Sequence, residues 1–459
     1  MPPQSSSARQ VAVERVAGPV DPLSVAGLPE GAFPQVHTVR GWRVAVADPL
    51  ALVQDPAALD DLGRWCDWRG AGAADGPPFV GGAAGFLAHD SAGAFLGLPR
   101  DPRPAAVPLP AMAFGLYDSA ICVPPGGEDA WLVAAELPGF TRRPAAERLD
   151  ELRRRVDASR AVTDDVAVRT APAAARLSLS AAAHATAVGR ILQWIAVGDL
   201  YQLNLTLQAA VPWSAGGVAL ARRLQAASPG AAHAAYARLP GGAEVASVSP
   251  ETFLRTDGDR VVTRPIKGTR PRHGDTGRDA RAARALRCSE KDNAEHVMIV
   301  DLERNDLGRV CVPSTVRVPE LAALEGHPTV WHLTSTVEGR LREDVGLGGL
   351  LQATFPSGSV TGAPKHMAVA RTALVEPVRR GVYCGALGVV SRGLVDLSVA
   401  IRTAVVHRSS ASYGTGGAIV ADSRPGEEFA EAMAKAAAFL AVTGAAVAGP
   451  PASASSPGG

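Results

Sequence analysis

Two short stretches place carboxylates and amines at helical spacing. In GEEFAEAMAKA, Glu428, Glu431 and Lys435 stand at i, i+3 and i+7, so on a helix they share one face. In SEKDNAEH, Asp292 and Glu295 repeat the i, i+3 pair. Solvated helix starts, charged to suit the helix dipole, would look the same. Two carboxylate pairs on two helix N-termini can also hold one hard cation between them. Magnesium suits such a site because it takes a few carboxylates, keeps several waters and bridges to an anionic substrate.

Other residues admit two chemistries each. Lys267 in RPIKGTRPR is either a solvated lysine at a strand end or, if buried or beside cations, a nucleophile. Arg402, inside the apolar run LSVAIRTAVV, needs a partner, which is either a substrate carboxylate gripped by its fork or an internal ion pair. His332 in VWHLTSTV reads as a core histidine or a catalyst. FPSGSVTGAPK joins a glycine-rich loop to a helix start at Pro364, whose amides can cradle an anion. Ala363 and Pro364 intervene before Lys365, which breaks the phosphate-loop pattern and argues against nucleotide hydrolysis. YGTGGAIVADS reads as a loop that bares the backbone of Thr415, Gly416 and Gly417, or as a tight turn. Arg278, Arg281, Arg284 and Arg287 recur every three residues and read as an exposed helix face.

These residues need elements to hold them. An Ala-rich helix is expected over about 181–197, ending near Gly198, followed by an alternating strand in YQLNLTLQAAV. Further strands are expected at EVASVSPETFLR, RVVTRPIKG, YCGALGVVSR and LVDLSVAIRTAVV. Ser289, three residues before Asp292, opens a helix that closes at Gly308, and a last helix starts near Pro425. Upstream, residues 21–160 alternate short apolar runs with Gly and Pro punctuation. Residues 1–20 and 447–459 read as frayed ends, and the polar, Ala-rich stretch 161–178 as a linker before a catalytic region over 179–446. Strands and helices mix without strict βαβ alternation, so the fold class is α+β with large sheets.

The whole chain narrows the ligand. Its 459 residues, 47% hydrophobic and 20% charged, suit a soluble enzyme with a sizeable core. With 46 basic against 45 acidic residues, no global field draws in nucleic acid or a membrane surface, which leaves a small molecule held by local groups. Five scattered cysteines without CxxC spacing suggest neither disulfides nor zinc. The absence of a signal-like or spanning apolar run fits a cytoplasmic protein.

In order and spacing, SPETFL, PIKGTRPR, KDNAEHVMIVDLERNDLGRV, FPSGSVTGAPK, GVYCGALG, LSVAIRT and GGAIVADSRPGEEFAEAMAKA resemble the motifs of the chorismate-utilising enzymes, among them anthranilate, aminodeoxychorismate, isochorismate and salicylate synthases. The resemblance is strong over about 180–445, while GGAAGFL and LPAMAFGLYD match shorter upstream signatures. It implies a sandwich of two large, mainly antiparallel sheets with helices on the outer faces. It implies that Glu295 and Glu431 bind magnesium directly, supported by Asp292 and Glu428. His332 and Ser359 then line the reacting ring, Glu251 is the acid that protonates the departing hydroxyl, and Arg402, Tyr383, Lys435, Gly416 and Gly417 bind the substrate. Lys267 resembles the lysine of the aminodeoxychorismate branch, where anthranilate synthases read PIAGT. Gln202 stands where water-using relatives carry a lysine. The resemblance further implies chorismate and ammonia as substrates, with ammonia delivered by a separate glutamine amidotransferase subunit, component II, since no stretch of the chain reads as a glutaminase. No segment resembles the Leu-Glu-Ser feedback site for tryptophan.

Overall fold

The computed structural model describes residues 10–28, 32–72, 75–161 and 173–447. Two large sheets dominate, of thirteen and ten described strands. Nearly all pairings are antiparallel, the exception among the described strands being Ala445–Val447 beside Ala173–Leu177. Facing side chains of the two sheets, among them Phe86, Tyr117, Val133, Val245, Leu387 and Val389, fill the space between them. Helices Pro22–Gly27, Ala145–Arg160, Gly216–Ala227 and Pro425–Thr443 cover the outer face of the larger sheet. Leu59–Cys66, Glu290–Gly308 and Leu347–Thr354 cover the smaller. The architecture is the α+β sandwich expected from the sequence.

The upstream region is woven into both sheets. Gln35–Val39 pairs with His233–Arg238 in one, and Gly82–Leu87 pairs with Ala386–Ser391 in the other. Val11–Val16, read from sequence as part of a frayed end, is instead the edge strand beside Ala130–Ala135. Of the linker read at 161–178, residues 162–172 lie outside the described residues, and Ala173–Leu177 is a strand against Gln202–Pro212. The tail from 448 onward also lies outside them. No described helix is long and apolar enough to cross a membrane.

The site is built where expected strands break. EVASVSPETFLR divides into Glu244–Ser249 in the larger sheet and Thr252–Asp257 in the smaller. Pro250 has no N–H to give the ladder, so the chain turns there and leaves Glu251 at the corner. LVDLSVAIRTAVV divides likewise into Leu394–Val399 and Thr403–His407. Arg402 therefore lies outside any strand, with a left-handed φ of 49° at a second corner. The corners bond to each other: Val399 N donates to Glu251 O at 3.0 Å, and Val248 N to Arg402 O at 3.1 Å. RVVTRPIKG breaks at Pro265 into Arg260–Arg264 and Ile266–Pro271, which follow one another along Val330–Arg340. YGTGGAIVADS, read as a loop, is mostly strand: Ser410–Ile419 pairs with Gln202–Pro212 along its whole length.

A buried ion pair locks the Gln202–Pro212 strand to the 355–365 loop. Arg380, 1% exposed, donates to Glu376 at 2.7 Å, to Asn204 O at 2.7 Å and to Val360 O at 2.9 Å. Glu376 in turn accepts from Thr206 N and Oγ1, both at 2.9 Å. Glu376→Ala strands the guanidinium without this counter-charge, so it should destabilise the fold by about 3 kcal/mol. Urea unfolding should show the midpoint lowered and the slope unchanged.

Candidate active site

Two helix starts and one strand converge on an acidic cluster. Ser289 caps its helix by accepting from Asp292 N at 3.2 Å, which sets Asp292 and Glu295 in the opening turns. Pro425 opens the other helix and sets Glu428 in its first turn. The two N-termini adjoin, because Lys291 of one reaches Glu428 of the other at 3.4 Å. From the strand Ile266–Pro271, Lys267 Nζ donates to Glu295 Oε1 at 2.7 Å, with side chains only 10% and 13% exposed. Every carboxylate here carries a cation: Arg270 on Asp292 at 2.7 Å, Lys267 on Glu295, Lys291 on Glu428, and Lys435 on the half-exposed Glu431 at 2.8 Å. Burial raises the Glu431 carboxyl, but Lys435, Lys291 and Lys267 outweigh it and hold the group below the usual carboxylate range.

Among the described residues no three His, Cys, Asp or Glu side chains converge closely enough to hold a metal as they stand. The donors are nonetheless the carboxylate oxygens a hard cation takes, and the interleaved ammonium groups already supply the positive charge such an ion would replace. Gly417 keeps the space open. A Cβ there would lie 3.5 Å from Glu431 Oε1, 3.6 Å from Glu428 Oε2 and 3.8 Å from Lys435 Nζ.

The neighbouring backbone offers one free donor. Lys435 Nζ donates to Gly416 O at 3.0 Å, and Thr206 N donates to Glu376 rather than across the ladder. Thr206 and Gly416 are therefore a non-hydrogen-bonded pair, and the Gly416 N–H points to the outer edge of its strand. On that edge Thr403–His407 pairs no further than Tyr413. By the same alternation the Gly417 amide belongs to the ladder with Leu205. Tyr383 packs over Gly414 and lines a small crevice with Gln208, Arg379 and Thr403.

Behind the cluster stands Glu251, 3% exposed, whose Oε1 has no hydrogen-bond partner. Burial lifts its carboxyl to about 7, against the opposing pull of a Ser359 hydrogen bond and the Lys267 charge. His332 bonds Thr269 Oγ1 through Nδ1 at 2.9 Å, and burial, then the Arg402 charge and His327, push it down to about 4. It is a neutral imidazole at neutral pH. Lys267 is the common neighbour, bonded to Glu295 and felt electrostatically by both Glu251 and Glu431.

Some residues of this region were not read from the sequence. Asn204 is one, its Nδ2 holding Ser359 O at 3.0 Å beside Gln202, which the sequence did single out and which is fully buried with Oε1 unpartnered. Glu303 accepts from Ser357 Oγ and Gly358 N, both at 2.9 Å, and Lys365 pairs with Asp306. Glu303 and Asp306 show the same i, i+3 spacing that singled out Glu428 and Glu431, about two to three turns further along the helix than Glu295. Arg278, Arg281, Arg284 and Arg287 are exposed, as expected.

The family model for chorismate-binding enzymes matches residues 48–441. Anthranilate synthase component 1 of Streptomyces coelicolor is 39% identical over 396 residues, 79% of this chain and 73% of that protein. Aminodeoxychorismate synthase component 1 of Salmonella typhimurium is 36% identical over 409 residues, 87% of this chain and 83% of its own. The crystal structure of anthranilate synthase component I from Streptococcus pneumoniae superposes with a TM-score of 0.75 at 25% identity, covering 96% of this chain and 94% of that one. Motifs, sandwich and relatives agree: the chain belongs to the chorismate-binding enzyme family.

Proposed function

We propose that this chorismate-utilising enzyme is an aminodeoxychorismate synthase component, replacing the 4-hydroxyl of chorismate with an amino group. The observation that carries the reading is the Lys267 ammonium, largely buried and turned into the acidic cluster at 2.7 Å from Glu295. An amine at this spot has a nucleophile's reach to a ring held between the cluster and Glu251.

The residues divide the work. Gly416 N–H, Arg402 and Lys435 bind the enolpyruvyl carboxylate, with Tyr383 and the small Gly417 shaping that end; His332 and Ser359 line the ring. Lys267 Nζ gives one proton of its ammonium to solvent, bonds to carbon 2 as the bond from carbon 4 to its hydroxyl breaks, and sheds a second proton to become a secondary amine. Glu251, buried and protonated near neutral pH, gives that hydroxyl its proton so that it leaves as water. Ammonia then bonds to carbon 4 as the bond from Lys267 to carbon 2 breaks, so two allylic steps replace one hard displacement. The unpartnered Gln202 Oε1 offers an acceptor to an N–H nucleophile, where a lysine would activate water. Magnesium would be held by Glu295 and Glu431 with Asp292 and Glu428 in support, supplying a template for the ring carboxylate and neutralising charge as the hydroxyl departs. Freeing Glu295 from its ion pair releases Lys267 to turn toward the ring. The component naming of the relatives supports a glutamine amidotransferase partner as the source of ammonia.

The second reading is anthranilate synthase component I, favoured by the 39% identity to the Streptomyces coelicolor protein. Chorismate, ammonium and magnesium supplied together separate the two. The expected product is amino-deoxychorismate, with no fluorescent aromatic compound until a lyase is added; anthranilate without lyase would overturn the reading. Lys267→Ala should lose at least a hundredfold in amination, on the order expected for a covalent nucleophile. Glu295→Gln or Glu431→Gln should raise the magnesium concentration for half-maximal rate about tenfold or more. Unchanged metal dependence in both variants would mean the ion binds elsewhere.

A further inference from the structure

The Glu251 acid is wired to a second buried carboxyl. Ser359, hydrogen-bonded to Glu251, has its Oγ 3.0 Å from Ser357 Oγ, and Ser357 Oγ donates to Glu303 Oε1 at 2.9 Å. Glu303, 1% exposed, comes from the inner face of the helix that carries Glu295 on its first turns. The four groups stand in file as carboxyl, hydroxyl, hydroxyl and carboxyl, the links from Ser359 to Glu303 set by distance and the Ser359 link to Glu251 by its pull on that carboxyl. A protonated Glu251 can donate to Ser359, Ser359 to Ser357, and Ser357 to the Glu303 carboxylate. Reversing every bond carries a proton from Glu303 to Glu251, and in either polarity each hydroxyl both donates and accepts.

We propose that Glu303, acting through Ser357 and Ser359, is a positioning residue that shares its proton with Glu251 and keeps that acid loaded for delivery to the departing hydroxyl. The proposal rests on the reading of Glu251 as the acid. The charges facing Glu251 are Lys267, from its strand, and Glu303, from its helix; Lys267 favours the carboxylate and Glu303 favours the acid. Behind Glu303 lie Lys365 and the Thr263 hydroxyl, both favouring its carboxylate, with Asp306 paired to Lys365. Burial raises both Glu303 and Asp306, so this pocket is where a shared proton costs least to keep.

The sign of the effect is fixed by the geometry. Glu303→Gln removes the neighbouring negative charge and lets an amide donate into the file. Ser357→Ala leaves the charge but turns the Ser359 hydrogen toward Glu251. Both changes favour the Glu251 carboxylate, so both lower the pH at which the acid is lost. In the wild type, kcat/KM for chorismate should fall above about pH 7, where the acid ionises. In each variant that alkaline limb should move down by about one pH unit, a loss of about tenfold at pH 8 and about twofold at pH 6, with KM little changed. A purely structural role would lower kcat at every pH and leave the limb in place. Wild-type limbs in both variants overturn the proposal, and if one variant does not fold, the other decides. Glu251→Gln is run alongside: full activity in that variant defeats the reading of Glu251, whereas an inactive Glu251→Gln with unmoved limbs defeats the file alone.

Discussion

The Lys267 to Glu295 ion pair is the contact on which the site depends. It ties the edge of the smaller sheet to the opening turns of a helix on that sheet's outer face. Across the helix starts, Lys291 and Glu428 extend the same charge network to a helix that packs on the larger sheet. Four carboxylates cannot crowd together unless each is compensated, and here each has its own cation. In the function proposed above, the magnesium ion and the substrate carboxylates would enter by replacing these ammonium and guanidinium partners.

The second constraint is topological. Two sheets packed face to face leave few places where backbone and polar side chains can project inward, and the corners where a chain leaves one sheet for the other provide them. Glu251 and Arg402 both stand at such corners, and the corners bond to each other across the sandwich. Pro250 enforces one corner by withholding an N–H; the other carries Arg402 in a left-handed conformation. Burial at the corner then sets the acid, since a buried carboxyl with an unpartnered oxygen holds its proton to about neutral pH.

Much of this was legible in the residues. Local signals were strong: Ser289 caps its helix as its spacing to Asp292 implied, Gly308 and Gly198 sit where helices end, and the i, i+3 carboxylates face one cluster. Mixed strands and helices with large sheets were legible in the residues, whereas their number and face-to-face packing came from the resemblance to the chorismate-utilising enzymes. What sequence could not supply was where long apolar runs change sheets. LSVAIRTAVV looks like one strand, because alternation of side chains says nothing about a break placed by packing, so Arg402 was read inside it. YGTGGAIVADS looks like a loop, because three glycines weaken any strand; they are tolerated where Gln202–Pro212 supplies a full ladder and where Gly417 clears space beside Glu431. Glu303 was passed over because its partners, Ser357 and Gly358, lie more than fifty residues away and meet it only in the fold.

The central chemical claim is that the Lys267 nitrogen becomes covalently joined to the substrate ring. The most direct measurement is intact-mass analysis of the protein incubated with chorismate and magnesium but without ammonia, followed by mapping of the modified peptide. An adduct of chorismate less one water, located on Lys267 and discharged when ammonium is added, is the predicted result. Normal amination upon adding ammonium, in a preparation that never carries an adduct under ammonia starvation, would contradict it.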